Sequence, residues 1–279
     1  MPAVDTADLV TAARAKGQGV AAFNVITLEH AEAITAAAEA AGLPVILQVS
    51  ENAVKFHGGR PEPLLAGTAA IAAGATVPVA LHMDHVESEE LLRAGVAAGV
   101  SSVMFDASKL EYAENVRATA RNVEWAHARG VWVEAELGEV GGKDGAHAPG
   151  VRTDPAEAAE FAAATGVDAL AVAVGSSHAM TERTARLDHT LIARLRTAVS
   201  VPLVLHGSSG VSDEELRQAV AAGMVKINIG TALNIAFTAG VRDHLAAHPD
   251  TVDPRRYLRP ARDAMAATAE HLLRVVAGG

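Results

Sequence analysis

The sequence predicts an α/β fold, a single (β/α)8 TIM barrel with an additional C-terminal helix, on three observations. Short apolar runs rich in β-branched residues alternate with Ala-rich segments of helical length. A glycine separates helix from strand at Gly42, Gly99, Gly130, Gly166 and Gly223. Polar and ionisable residues gather where one apolar run after another ends. Continuously apolar strands imply burial on both faces, as in a closed parallel sheet. The length agrees: residues 1–279 suit one barrel domain of about 250 residues.

Strand runs fall at 19–24, 44–49, 77–81, 101–105, 131–136, 169–174, 202–206 and 224–228. Helical segments fill 28–41, 61–73, 88–98, 113–129, 155–165, 188–198 and 213–222, and an eighth begins near Thr231. Ser88 ahead of Leu91, Asp154-Pro155, and Ser212 ahead of Asp213-Glu214-Glu215 are helix starts. Their side-chain oxygens can accept from the first free N–H groups. The five glycines fit the left-handed position that ends a helix.

Two segments stand outside the repeat. Residues 138–152 hold five Gly and one Pro and follow the fifth strand. On the strand-end side of a barrel such a stretch reads as a mobile active-site lid. Residues 253–276 space Ala, Met and Leu as an amphipathic helix does, and read as a C-terminal extension that caps the barrel or meets another subunit.

Composition narrows the function. The net charge of -10 argues against nonspecific nucleic-acid binding, yet backbone N–H groups can still hold a phosphate. With Cys 0, any metal must be held by His, Asp or Glu. Residues 1–14 lack a basic-then-apolar leader pattern, and no apolar run nears the roughly 18 residues of a membrane span. A soluble cytoplasmic protein, with no nucleic-acid or membrane partner, is the expectation.

The stretch Leu81-His82-Met83-Asp84-His85 concentrates the chemistry. Strand periodicity sends Leu81, Met83 and His85 one way and His82 and Asp84 the other. One His at a strand end is more often structural than a ligand. Three at separate strand ends, His85, His178 and His206, point to a divalent metal, Zn2+ above all, with a position open for substrate. Asn24, Ser50, Asp106 and Glu136 are further polar residues at strand ends. The turns Gly207-Ser208-Ser209-Gly210 and Asn228-Ile229-Gly230-Thr231 each precede a helix, and follow strands seven and eight, where barrels often bind phosphate. Taken alone, they also read as tight turns with helix caps.

Several stretches together resemble one family. They are Ala22-Phe23-Asn24-Val25, Leu81 to Glu87, Met104-Phe105-Asp106-Ala107-Ser108, Glu111 to Val116 and Val133 to Gly138. Gly141-Gly142, Thr153-Asp154-Pro155, Pro202 to Gly207, Lys226-Ile227-Asn228 and Asp253-Pro254-Arg255 complete the set. In this order they resemble the class II, metal-dependent ketose-bisphosphate aldolases, and the short chain looks like the tagatose-type branch. The resemblance implies a zinc-dependent lyase of carbohydrate metabolism. It would reversibly cleave a ketose (bis)phosphate such as fructose 1,6-bisphosphate into dihydroxyacetone phosphate and an aldehyde such as glyceraldehyde 3-phosphate. It implies one Zn2+ per subunit on His85, His178 and His206, with Glu136 and Asp106 at an alternative metal position, and Asp84 as the proton-transfer group. It further implies Asn24, Ser50, Ala179, Gly207, Ser208, Ser209, Asn228, Gly230 and Thr231 at the substrate and its phosphate. A monovalent cation (Na+ or K+) near that phosphate, and a homodimer or homotetramer, are also implied.

The departures bear on the substrate. Ala179 follows His178 where the family commonly has Gly. Gly230 stands where fructose-type members carry Asp, and Asn234 stands where a basic residue often reaches the distal phosphate. Arg255 is the remaining candidate for that phosphate, from its own or a neighbouring subunit. A tagatose-bisphosphate aldolase, or an aldolase joining dihydroxyacetone phosphate to another aldehyde, therefore stays open. A metal-dependent hydrolase fits less well, because Asn24 stands at the first strand end and no His-x-His motif is offered. A non-catalytic sugar-phosphate binder would leave Asp84 without a task. A Schiff-base role for Lys226 is disfavoured by the His set.

Overall fold

A computed structural model describes residues 3–137, 152–177 and 180–278. Its strands are β1 (Val20–Asn24), β2 (Val45–Ser50), β3 (Val79–Val86), β4 (Ser102–Phe105), β5 (Trp132–Glu136), β6 (Ala169–Ala171), β7 (Leu203–Leu205) and β8 (Met224–Ile229). Each pairs in parallel with the next, and β1 closes onto β8, which completes the expected barrel. The helices among the described residues are α1 (Thr6–Lys16), α2 (Leu28–Ala41), α3 (Glu51–Phe56), α4 (Glu62–Gly74), α5 (Glu89–Ala97) and α6 (Tyr112–His127). They continue with α7 (Pro155–Thr165), α8 (His189–Ala198), α9 (Asp213–Ala222), α10 (Thr231–Ala247) and α11 (Pro254–Val276). Residues 138–151, most of the expected lid, lie outside the described residues.

The start signals act as expected. Ser88 Oγ accepts from Leu91 N, the Asp154 carboxylate from Ala156 N and Glu157 N, and Ser212 Oγ from Glu215 N. Gly42 and Gly166 end α2 and α7 at φ values of 66° and 70°, a region closed to most side chains.

Two helices lie outside the sequence expectation. α1 packs Leu9, Val10 and Ala13 against Val20, Ala22, Ile46, Ala80 and Val225. Thr6 Oγ1 meets Ser102 Oγ at 2.6 Å. This closes the N-terminal mouth of the barrel, and each Leu or Val so buried contributes about 1.5–3 kcal/mol. α3 begins where Ser50 Oγ accepts from Ala53 N. The C-terminal helix α11 buries Ala261, Met265, Ala269, Leu272 and Leu273 and packs on α2 and α10. A Cβ on Gly240 of α10 would stand 2.7 Å from Ala261 Cα, so these helices cross almost backbone to backbone.

Alternate strand residues face opposite ways. In β3, Val79, Leu81 and Met83 join the shell between strands and helices, and Ala80 joins the interior. Above that small apolar interior the barrel turns polar: Gln48, His82, Glu134, His206 and Lys226 are each 0% exposed. Buried charge needs a partner, and Lys226 Nζ lies 2.8 Å from Glu134 Oε2. The apolar end is thus a plug, and the polar end opens to the site.

Candidate active site

β3 runs past the expected end at Leu81 and carries Asp84 and His85 to the C-terminal mouth. Its register with β4 shifts between Met83 and Val86. His85 sits there at φ 49°, the one non-glycine at positive φ among the described residues. This corrects the periodicity expectation. An unbroken strand would turn His85 toward the helices with Leu81 and Met83; the left-handed turn returns it to the side of Asp84. Such a conformation costs on the order of 1–3 kcal/mol and needs surrounding structure to hold it.

Asp84 and His85 line a cavity of about 190 Å3. Asn24, Gln48, Ser50 and Asn52 line its β1–β2 side. Gly207, Ser208, Ser209, Asn228, Gly230 and Thr231 line the β7–β8 side. Ligand atoms of Asp84, His85 and His206 all lie within 4.8 Å of one another. The expected ligand His178 and its neighbour Ala179 lie outside the described residues.

Asp84 is held from three directions. Its Oδ2 accepts from Asn24 Nδ2 at 3.0 Å and from Gln48 Nε2 at 3.3 Å, and its Oδ1 accepts from Asn228 Nδ2 at 3.4 Å. Both imidazoles are aimed by carboxylates. His85 Nδ1 lies 2.7 Å from Asp106 Oδ2, and His206 Nε2 lies 2.9 Å from Glu134 Oε1. Glu136 Oε2 stands 3.7 Å from His206 Nδ1. A carboxylate only accepts, so His85 Nδ1 and His206 Nε2, the two nitrogens within hydrogen-bond distance, carry the hydrogen.

A family model described as class-II fructose-bisphosphate aldolase matches residues 4–278. The fructose-bisphosphate aldolase of Geobacillus stearothermophilus is 44% identical over 252 residues, covering 89% of this chain and 88% of that protein. The probable fructose-bisphosphate aldolase of Bacillus subtilis (strain 168) is 42% identical over 272 residues, covering 96% and 95%. The crystal structure of the YdjI aldolase from Escherichia coli K12 superposes with a TM-score of 0.87 at 34% identity, covering 99% and 98% of the two chains.

The chain belongs to the class-II fructose-bisphosphate aldolase family.

As a class-II aldolase it is a lyase of a metal-dependent family, and its donor set suits that chemistry. Two imidazoles beside a carboxylate match a borderline divalent cation, and second carboxylates orient both rings. Burial alone would lower the pKa of His85. The charges of Asp84, Asp106 and Glu136 and the Asp106 hydrogen bond overcome this and push it up to about 10. Burial raises the pKa of Asp106, yet hydrogen bonds from His85 and Ser108 hold it below the ordinary carboxylate range. The field that attracts a proton to His85 also attracts a cation, which must displace that proton.

The phosphate candidates form one wall. Gly207 has φ 66°, and a Cβ there would stand 2.5 Å from Ser177 O, so only glycine fits. Ser209 Oγ accepts from Ala232 N at 3.0 Å and ties the β7 turn to the first turn of α10. That helix start presents N–H groups suited to an anion.

Other side chains are placed differently. His82 points into the barrel, with Nδ1 2.7 Å from Ser102 Oγ, and burial pushes its pKa well below the ordinary value. Arg255 lies outside the cavity, paired with Asp253 at 2.7 Å near Glu29, Glu32 and Arg262. No Lys or Arg lines the cavity among the described residues. Gln48 is a contributor that the strand-end reading passed over, and Glu134 and Lys226, though placed in their strands, had none of these contacts assigned to them. Their signal was a polar residue inside an apolar strand, which demands a buried partner.

Among the described residues no helix is long and apolar enough to cross a membrane.

Proposed function

We propose that this chain is a zinc-dependent aldolase that cleaves a ketose 1-phosphate or bisphosphate, fructose 1,6-bisphosphate being the leading substrate. The observation that carries the reading is the convergence of Asp84, His85 and His206 beside the Gly207–Ser209 turn and the α10 N-terminus. His85 and His206, joined by His178, would hold the Zn2+, with Glu136 and Asp106 near an alternative position. A bound divalent cation supplies Lewis-acid charge at the carbonyl end of the substrate.

Asp84 accepts the proton of the hydroxyl on the far side of the bond that breaks. The carbon–carbon electron pair passes to the ketose fragment, and the hydroxyl carbon leaves as the aldehyde. Protonation of the remaining fragment yields dihydroxyacetone phosphate. Asn24, Gln48 and Asn228 keep the Asp84 carboxylate aimed while it exchanges that proton. Backbone N–H groups of Gly207 to Ser209 and Gly230-Thr231 grip the phosphate, with a monovalent cation (Na+ or K+) beside it.

The lining favours a second reading of the aldehyde half. Among the described residues no Lys or Arg lines the cavity, so that lining offers a second phosphate no cationic side chain. Arg255 could serve only from a neighbouring copy in a homodimer or homotetramer. Without that copy, an unphosphorylated aldehyde fits better. A cytoplasmic setting follows from a sugar-phosphate substrate.

A panel of fructose 1,6-bisphosphate, tagatose 1,6-bisphosphate, and dihydroxyacetone phosphate with phosphorylated and plain aldehydes tests this. Aldol cleavage or synthesis on at least one member is expected. No turnover on any, with zinc bound, contradicts the proposal.

A further inference from the structure

Lys226 is fully buried inside β8 and takes no part in the proton transfer or metal binding just described. Its ammonium lies 2.7 Å from Asn228 Oδ1 and 2.8 Å from Glu134 Oε2. These partners lead to two different parts of the site. Asn228 Nδ2 donates to Asp84 Oδ1, and Glu134 Oε1 faces His206 Nε2. An ammonium offers three donors and no acceptor. It therefore selects the carbonyl end of the Asn228 amide and turns the NH2 end toward Asp84. By holding one oxygen of Glu134, it also keeps the other on the ring N–H of His206, so that Nδ1 becomes the electron-pair donor.

We propose that Lys226 is a positioning residue that sets both the amide orientation of Asn228 against Asp84 and the tautomer of His206. The inference rests on the assignment of Asp84 to proton transfer and His206 to metal binding. One buried cation thereby aligns the acid–base group and the metal ligand together. Attack by its amine on a substrate carbonyl is a different role, and the geometry opposes it: the amine is clasped by a carboxylate and does not line the cavity.

The test uses the full-length enzyme as Lys226→Met and as Lys226→Met with Glu134→Gln. The single variant leaves Glu134 as a buried charge without its cation, which threatens folding; the double variant removes that charge. Zinc affinity is read by chelator competition, ligand geometry by the visible spectrum of the cobalt(II) form, and kcat and KM separately. Both variants should bind zinc about tenfold more weakly or worse, as for other groups that orient a ligand. Both should shift the cobalt spectrum and lose kcat with KM nearly unchanged. A folded double variant with the zinc affinity, cobalt spectrum and kcat of the parent would reduce Lys226 to a structural charge partner and overturn the proposal. Full activity of the parent enzyme after complete metal removal would instead defeat the underlying metal reading, whatever the variants do.

Discussion

His85 follows Asp84 directly in the chain, yet both side chains face one cavity, because His85 adopts φ 49° where the β3–β4 register shifts. Neighbours in a regular strand point to opposite faces, so this one residue's backbone places a proton-transfer group beside a metal ligand.

Asp84→Asn keeps the shape and removes the base, but its NH2 must turn toward either the Asn24 and Gln48 donors or the Asn228 donor, so part of the hydrogen-bond framework is given up. Turnover should fall by about 10²–10⁴-fold, the usual worth of a positioned acid–base group. Zinc content and phosphate-ligand affinity should be nearly retained. Undiminished kcat in the zinc-loaded variant would show that the proton goes elsewhere.

Gly230 is a second sensitive point. A Cβ there would stand 2.7 Å from Asn24 Oδ1, and Asn24 Nδ2 is one of the donors on Asp84. Gly230→Ala should displace the Asn24 amide and loosen Asp84. A misplacement on the order of 1 Å at a reacting group can cost about 10²-fold in rate. A measured kcat within twofold of the parent would mean that Asn24 yields without disturbing Asp84.

Arg255 separates the two readings of the substrate. If it serves the distal phosphate from a neighbouring copy, Arg255→Ala should raise KM for a bisphosphate and leave KM for a plain aldehyde unchanged. Equal effects on both substrates, or none on either, would remove it from the site.

Much of this architecture is legible in the sequence, for identifiable reasons. Helix–glycine–strand punctuation reports local backbone needs, and Gly42 and Gly166 meet them. The adjacency of Asp84 and His85 places the chemistry without any knowledge of the fold. The orientation of His85 is not legible, because its torsion depends on a register shift against another strand. The Lys226–Glu134 pair joins β8 and β5, strands that are not neighbours in the barrel, through its closed interior, which no local pattern encodes. α1 was readable in part, since Gly17 ends it at φ 65° after an Ala-rich run, but its role as a barrel plug depends on distant residues such as Ile46 and Ala80. Arg255 was drawn toward the site by motif alone, whereas packing of α11 on α2 and α10 carries it to the surface.

Metal dependence of the carbon–carbon cleavage tests the central claim most directly. Fructose 1,6-bisphosphate cleavage should be followed before chelation, after exhaustive chelation with metal content assayed, and after stoichiometric Zn2+ is returned. The account predicts activity that disappears with the metal and comes back with Zn2+. Full cleavage by protein shown to hold no metal would contradict it.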